Sequence, residues 1–361
     1  MALASNLSSR TGYGRGKGLA GLVMAALILL IGYRISLPGL DGSLLSGLSD
    51  DSSAALARVS VLALGPMPII NALGHFEILI LILCSFAAGR RWVSASRLFA
   101  VLPVILALLV AGFQAYGVAR ALEHFGSTFG DLFVPVTILC LVGATALLMA
   151  FIHSQARRQI DGLWLLLAAS FLLSLPHQMT GYLELLVSGA FTLQTFGVAL
   201  APVVLAVALT AFTVRALTAG ISAEGVRTRL HLLIWPLLLT QLVLSYVWPF
   251  LIAAPPEMAR ILLPDSRFGA SLMLAGANVP LVALFTLAYA RDLAHRREES
   301  GGSKPSSAVL LLVIVLQILV LSGLKTLLPL ANLPVDLDWL GLFITTAVLM
   351  CVSGLATAGK Q

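Results

Sequence analysis

Ten stretches of about twenty apolar residues follow one another along this chain, at roughly 18–37, 66–88, 97–119, 133–153, 162–184, 192–215, 230–253, 268–290, 307–328 and 337–357. About 20 such residues carry an α-helix across the hydrocarbon core of a bilayer. Within lipid, only helices and closed barrels satisfy their own backbone groups. The composition agrees, with 59% hydrophobic and 11% charged residues, where a soluble domain carries roughly 25% charged residues. The pattern predicts an all-α, polytopic membrane protein made of a single integral membrane domain. The connectors are short, the longest polar stretch being 290–307 (ARDLAHRREESGGSKPSS). No soluble domain and no Gly-rich phosphate loop is legible, which excludes an ATPase or a kinase.

With ten spans, both termini share one side of the membrane. Sixteen of the 22 lysines and arginines fall on that side, so the positive-inside rule makes it the cytoplasmic one. The net charge of +6 is therefore a matter of loop placement. It forms no basic stripe interleaved with aromatic residues, and nucleic acid is not an expected partner. The apolar run after Arg10, Arg15 and Lys17 is long and no small-residue cleavage site follows it, so it reads as a first span rather than a signal peptide. Cys84, Cys140 and Cys351 lie far apart in apolar segments and have no metal-ligand spacing. No cofactor is expected. Ten spans divide into two sets of five, 1–185 and 186–361, and an odd number per half gives halves of opposite orientation.

One segment breaks the rule of uninterrupted spans. Residues 55–73 read ALARVSVLALGPMPIINAL, apolar throughout but cut by Gly65-Pro66-Met67-Pro68. Two prolines in three residues should end a helix, so a short apolar helix over 54–64 is expected, joined through the break to the second span. Broken backbone at membrane depth is tolerated inside protein or beside a water-filled cavity, so a cavity is expected here.

These residues resemble the SecY family, whose members are the central subunit of the protein-translocation channel. Ser36-Leu37-Pro38-Gly39-Leu40-Asp41 is similar to the turn that ends the family's first span, and 55–72 is similar to the phrase that follows it, through Ala-Leu-Gly, Met-Pro and the next Ile. Residues 89–119 resemble the third span, with its basic entry and Gln-x-x-Gly. Residues 143–176 resemble the fourth and fifth spans with their tight turn, and 227–250 keep Pro236 and Pro249 of the seventh. The likeness is strongest over 34–176 and thin after about 255. It implies a SecY-like bundle of about ten spans in two inverted halves, with the short helix acting as an external plug.

The resemblance also implies site residues. A waist of apolar side chains that seals by dewetting would comprise Ile70, Leu167, Phe171, Leu238 and Ile344. A lateral gate, between spans two and three on one side and seven and eight on the other, would carry Asn71, Glu77, Gln114, Gln241 and Asn278. The plug and its hinge would comprise Leu56, Arg58, Gly65, Pro66 and Pro68. Packing or lipid contact explains each ring residue equally well from sequence alone, and interhelical hydrogen bonding, worth around 0.6 kcal/mol each, explains the gate residues. Glu77 is an intramembrane acid and hence a functional candidate. His75, two residues away, points elsewhere on a helix, so the two do not pair.

The sequence departs from the family in two ways. Pro66 stands where the family has a branched ring residue. The connectors at 215–229 and 290–307, which in the family project as basic hairpins to dock the ribosome or the SecA motor, are too short to project far. The implied function is a channel that translocates or laterally inserts polypeptides at the bacterial cytoplasmic membrane, specialised rather than housekeeping, with a SecE-like single-span partner and lipid at the gate. Ribosome or SecA docking is doubtful. The alternative is a non-conducting scaffold or regulator of the same descent. An enzyme or small-solute transporter would need convergent titratable groups at the midplane. Only His75 and Glu77 offer any, so the chain reads as a non-enzyme.

Overall fold

The computed structural model describes residues 15–40, 59–86, 89, 91–93, 96, 98–123, 129–155, 161–189, 192–220, 226–252, 267–299, 306–324 and 338–353. Among the described residues, ten helices of twelve or more residues follow the ten apolar stretches. They are α1 (Arg15–Arg34), α2 (Met67–Cys84), α3 (Leu98–Glu123), α4 (Phe133–Gln155), α5 (Gly162–Val187), α6 (Leu193–Gly220), α7 (Val226–Ile252), α8 (Arg267–Glu299), α9 (Ser307–Ile318) and α10 (Trp339–Val352). Six of them, α2 to α7, contain a segment long and apolar enough to cross a membrane, while α1, α9 and α10 hold shorter apolar helices. The expected ninth span at 307–328 is α-helical to Ile318 and then widens into a π-turn over Leu319–Gly323. The fold is all-α and multi-pass. Its exterior agrees, with Phe113, Leu139 and Phe212 at 81%, 74% and 60% exposure, as side chains bathed in lipid tails would be.

The chain forms two compact units, Met1–Leu173 and Ser174–Gln361. In the first unit α3 packs on α2 and α4. The face of α3 turned to its neighbours is a stripe of alanines at four-residue spacing, Ala107, Ala111, Ala115 and Ala119, all fully buried. Phe133, Thr137, Leu141, Thr145 and Leu148 make the matching stripe on α4. Small residues let helix backbones approach, which is how helices associate without a hydrophobic driving force in lipid. The start of α5 lies equally close to the end of α4. A β-carbon on Gly162 would lie 2.7 Å from the Cα of Ile152, and the Asp161 carboxylate starts α5 by accepting from the Leu163 N–H.

In the second unit, α7 packs on α8, and α6 packs on α9 and α10. Asp338 caps α10, its carboxylate accepting from the Gly341 N–H at 3.0 Å, which satisfies one of the donors a helix start leaves open. Helix α6 runs to Gly220 and α7 starts at Val226, and α8 runs to Glu299 with α9 starting at Ser307.

Candidate functional site

The Gly-Pro-Met-Pro interruption is a helix start. Pro66 is the N-cap of α2 and Pro68 lies in its first turn. The first N–H groups of a helix have no intrahelical acceptor, so prolines cost nothing there. The Pro66 carbonyl accepts from the N–H groups of Ile69 and Ile70, each at 3.1 Å. Gly65 precedes it with φ +53°, a left-handed conformation that glycine adopts without steric cost.

The expected helix over 54–64 takes another form across its described residues. Residues 54–58, including Leu56 and Arg58, lie outside the described residues. From Val59 onward the chain pairs rather than coils. Ser60 bridges antiparallel to Ser36, with Leu37 N–H donating to the Val59 carbonyl and Val61 N–H to the Ile35 carbonyl, both at 2.9 Å. A run of tight turns follows, the N–H groups of Ala63, Gly65 and Met67 donating to Ser60, Leu62 and Leu64. The β-branched Val59 and Val61 favour extended backbone, and the chain after α1 supplies the partner strand.

This segment is packed into the first unit. Leu37, Leu40 and Val59 share a buried cluster with Ala115 of α3 and Phe133 and Leu141 of α4, with Val61, Ala63 and Leu64 against it. Leu62 lies against bare backbone at Gly32 of α1, where a β-carbon would come within 2.1 Å of its methyl. Gly65, Pro66, Pro68 and Ile69 are buried, so the break itself is a packed corner. One turn on, Ile70 and Asn71 are only half-buried.

The other expected residues divide similarly. Leu167 and Phe171 lie four apart on α5, half-buried and buried respectively; Leu238 and Gln241 lie three apart on α7, both half-buried. Both spacings place the pair on one helix face. Gln114 of α3 is half-buried, and Glu77 of α2 and Ile344 of α10 are buried. Asn278 of α8 is held inside the second unit, its Nδ2 donating to the Ser322 hydroxyl in the π-turn at 2.8 Å. Among the described residues no group of three or more His, Cys, Asp or Glu side chains is placed to hold a metal ion.

Sequence reading missed one cluster. Gln317 of α9, fully buried, donates its amide to the Leu233 and Leu232 carbonyls of α7 at 2.8 and 3.3 Å. Its own carbonyl accepts from the Thr286 hydroxyl of α8 at 2.7 Å. The available signal was a lone amide inside SAVLLLVIVLQI, in a second unit where α7 carries a mid-helix proline.

No family model matches the chain. Among curated proteins it is similar to the protein translocase subunit SecY of Rickettsia typhi, 28% identical over 196 residues, covering 47% of this chain and 44% of that protein. It is also similar to the SecY subunit of Buchnera aphidicola subsp. Acyrthosiphon kondoi, 28% identical over 204 residues, 49% of this chain and 56% of the other, and to that of Vibrio cholerae, 27% identical over 187 residues, 45% and 41%. The chain thus spans about half the length of the curated relatives it matches. The fold is similar to a solved structure described as showing that the plug domain of the SecY protein stabilises the closed state of the translocation channel and maintains a membrane seal. That likeness has a TM-score of 0.53 at 12% identity and covers 97% of this chain and 93% of the other. In sequence over about half its length, and in fold over nearly all of it, the chain is similar to SecY proteins, and its own fold is all-α and multi-pass.

Proposed function

We propose that this protein is a SecY-like protein-conducting channel of the bacterial cytoplasmic membrane, with both termini cytoplasmic, specialised for a restricted set of polypeptides. The observation that carries the reading is the coincidence of two likenesses, to SecY translocase subunits in sequence over about half the chain and to a SecY structure in fold over nearly all of it. In this reading 1–185 and 186–361 are the two inverted halves, and Ile70, Leu167, Phe171, Leu238 and Ile344 form the apolar waist. The half-buried state of Ile70, Leu167 and Leu238 supports it, since a pore-lining side chain packs on one side only. Asn71, Glu77, Gln114, Gln241 and Asn278 border the lateral opening, through which apolar segments reach lipid. A single-span subunit like SecE clamps the halves. Ribosome or SecA docking is doubtful in this reading, since the sequence at 215–229 and 290–307 is too short to project far.

The test is photo-crosslinking from position 70 or 238 to a stalled, secretion-arrested polypeptide in native membranes. Adducts at both positions are expected, and their repeated absence with several substrates overturns the channel reading. A second reading, a non-conducting scaffold, is favoured by Pro66, which is buried at the α2 N-cap where the resemblance calls for a branched ring residue.

A further inference from the structure

Pro236 lies inside α7. A proline has no N–H, so the carbonyl four residues earlier, that of Leu232, loses its helical donor, and the ring crowds the carbonyls of the preceding turn. Leu232 and Leu233 are almost fully buried, where an unpaired carbonyl has no water to turn to and costs its full desolvation penalty. The donor comes from another helix. The Gln317 amide of α9 reaches both carbonyls. Its orientation is set from the opposite end, because the Thr286 hydroxyl of α8 donates to its Oε1 and leaves the NH2 end facing α7. Just beyond Gln317, α9 opens into the π-turn, whose Ser322 holds Asn278 of α8. Helix α9 is therefore tied by side chains to α7 at the proline and to α8 at two levels.

We propose that Gln317 is a latch on the proline bend of α7. Its amide stands in for the missing Pro236 N–H and holds α7 in one bend against α9. Release of the amide frees α7 to change its bend at that point. Side-chain amides are neutral at all relevant pH, so the latch is released by competing hydrogen-bond donors, water or a passing backbone, and not by protonation. Where α7 borders the lateral opening, as the proposed function has it, the latch biases that opening toward its closed state; this last step rests on that reading, and the latch itself does not.

Hydrogen–deuterium exchange of the full-length protein in lipid nanodiscs tests the latch directly. Gln317→Leu removes the donor and is expected to speed exchange of the α7 amides over 233–241 by about tenfold, the equivalent of one net hydrogen bond. Pro236→Ala restores a backbone donor to Leu232. In that background Gln317→Leu is expected to change exchange by less than about twofold. Unchanged exchange in Gln317→Leu overturns the latch, and so does an equal increase in both backgrounds. Should Gln317→Leu fail to fold, Thr286→Val, which removes only the orienting hydroxyl, is read by the same comparison with and without Pro236→Ala. Ion leak through proteoliposomes separates the two proposals. Faster exchange with raised leak supports both, and faster exchange with no leak supports the latch while counting against the channel.

Discussion

At Gly162 a single missing side chain sets how closely two helices turn. A methyl there would meet the Cα of Ile152 at 2.7 Å, and backbone cannot swing aside as a side-chain terminus can. Gly162→Ala should therefore cost about 1–3 kcal/mol, typical of overpacking, read as a lowered thermal midpoint in detergent. Thr137 makes the opposite case. It is fully buried on α4 with no hydrogen-bond partner for its hydroxyl among the described residues, whereas Thr145, two turns on, donates to the Leu141 carbonyl. Removing a buried, unsatisfied hydroxyl without changing shape relieves its desolvation cost. Thr137→Val is expected to stabilise by about 1 kcal/mol in the same assay, and Thr145→Val is not. Glu77→Gln keeps the volume of a buried acid and removes its capacity for charge. Ion leak in proteoliposomes should change; unchanged leak together with an unchanged thermal midpoint removes any role for Glu77 in opening.

Among the elements, the start of α2 shows where local rules sufficed and where they did not. The prolines at 66 and 68 announce a break, and a helix does begin there. The nature of the preceding segment was illegible, because Val59 and Val61 pair with Leu37 and Ile35, more than twenty residues earlier. An apolar run read by itself carries no record of such a partner, so helix was expected and a bridge with turns is found. Gly65 makes the corner possible at φ +53°. Gly65→Ala should cost about 1–2 kcal/mol for the left-handed backbone, and the β-carbon would add a close approach, 3.3 Å, to the Tyr33 hydroxyl. Chemical denaturation of wild type and variant side by side measures that difference. The positions of the ten helices, by contrast, were legible, since apolarity is imposed by the bilayer and not by a neighbour, although α8 runs on to Glu299 and α9 is α-helical only to Ile318.

For the molecule as a whole, residues 54–64 decide between channel and scaffold. Their described part seals a cluster with Leu37, Leu40, Phe133 and Leu141. Deleting 54–64 from the channel of the proposed reading should raise ion conductance in planar bilayers well above the wild-type baseline, and a scaffold should stay silent. Since the deletion also removes the Ser36–Ser60 bridge, retention of helicity and of an unbroken elution profile is the accompanying check. The apolar waist and the gate were named through resemblance, residue by residue, and not through any local pattern, because packing or lipid contact explains the same apolar residues.

What the sequence by itself determined is the all-α, multi-pass character of the fold and where its helices lie, because lipid selects for apolar helices one segment at a time. What only the tertiary structure decided is which polar groups meet. Gln317 finds Leu233 across 84 positions of sequence, Asn278 finds Ser322 across 44, and the segment before α2 finds its partner strand at the end of α1. Hydrogen bonds in a dry interior are set by distances of about 3 Å, and no periodicity in a single chain specifies them before its helices have packed.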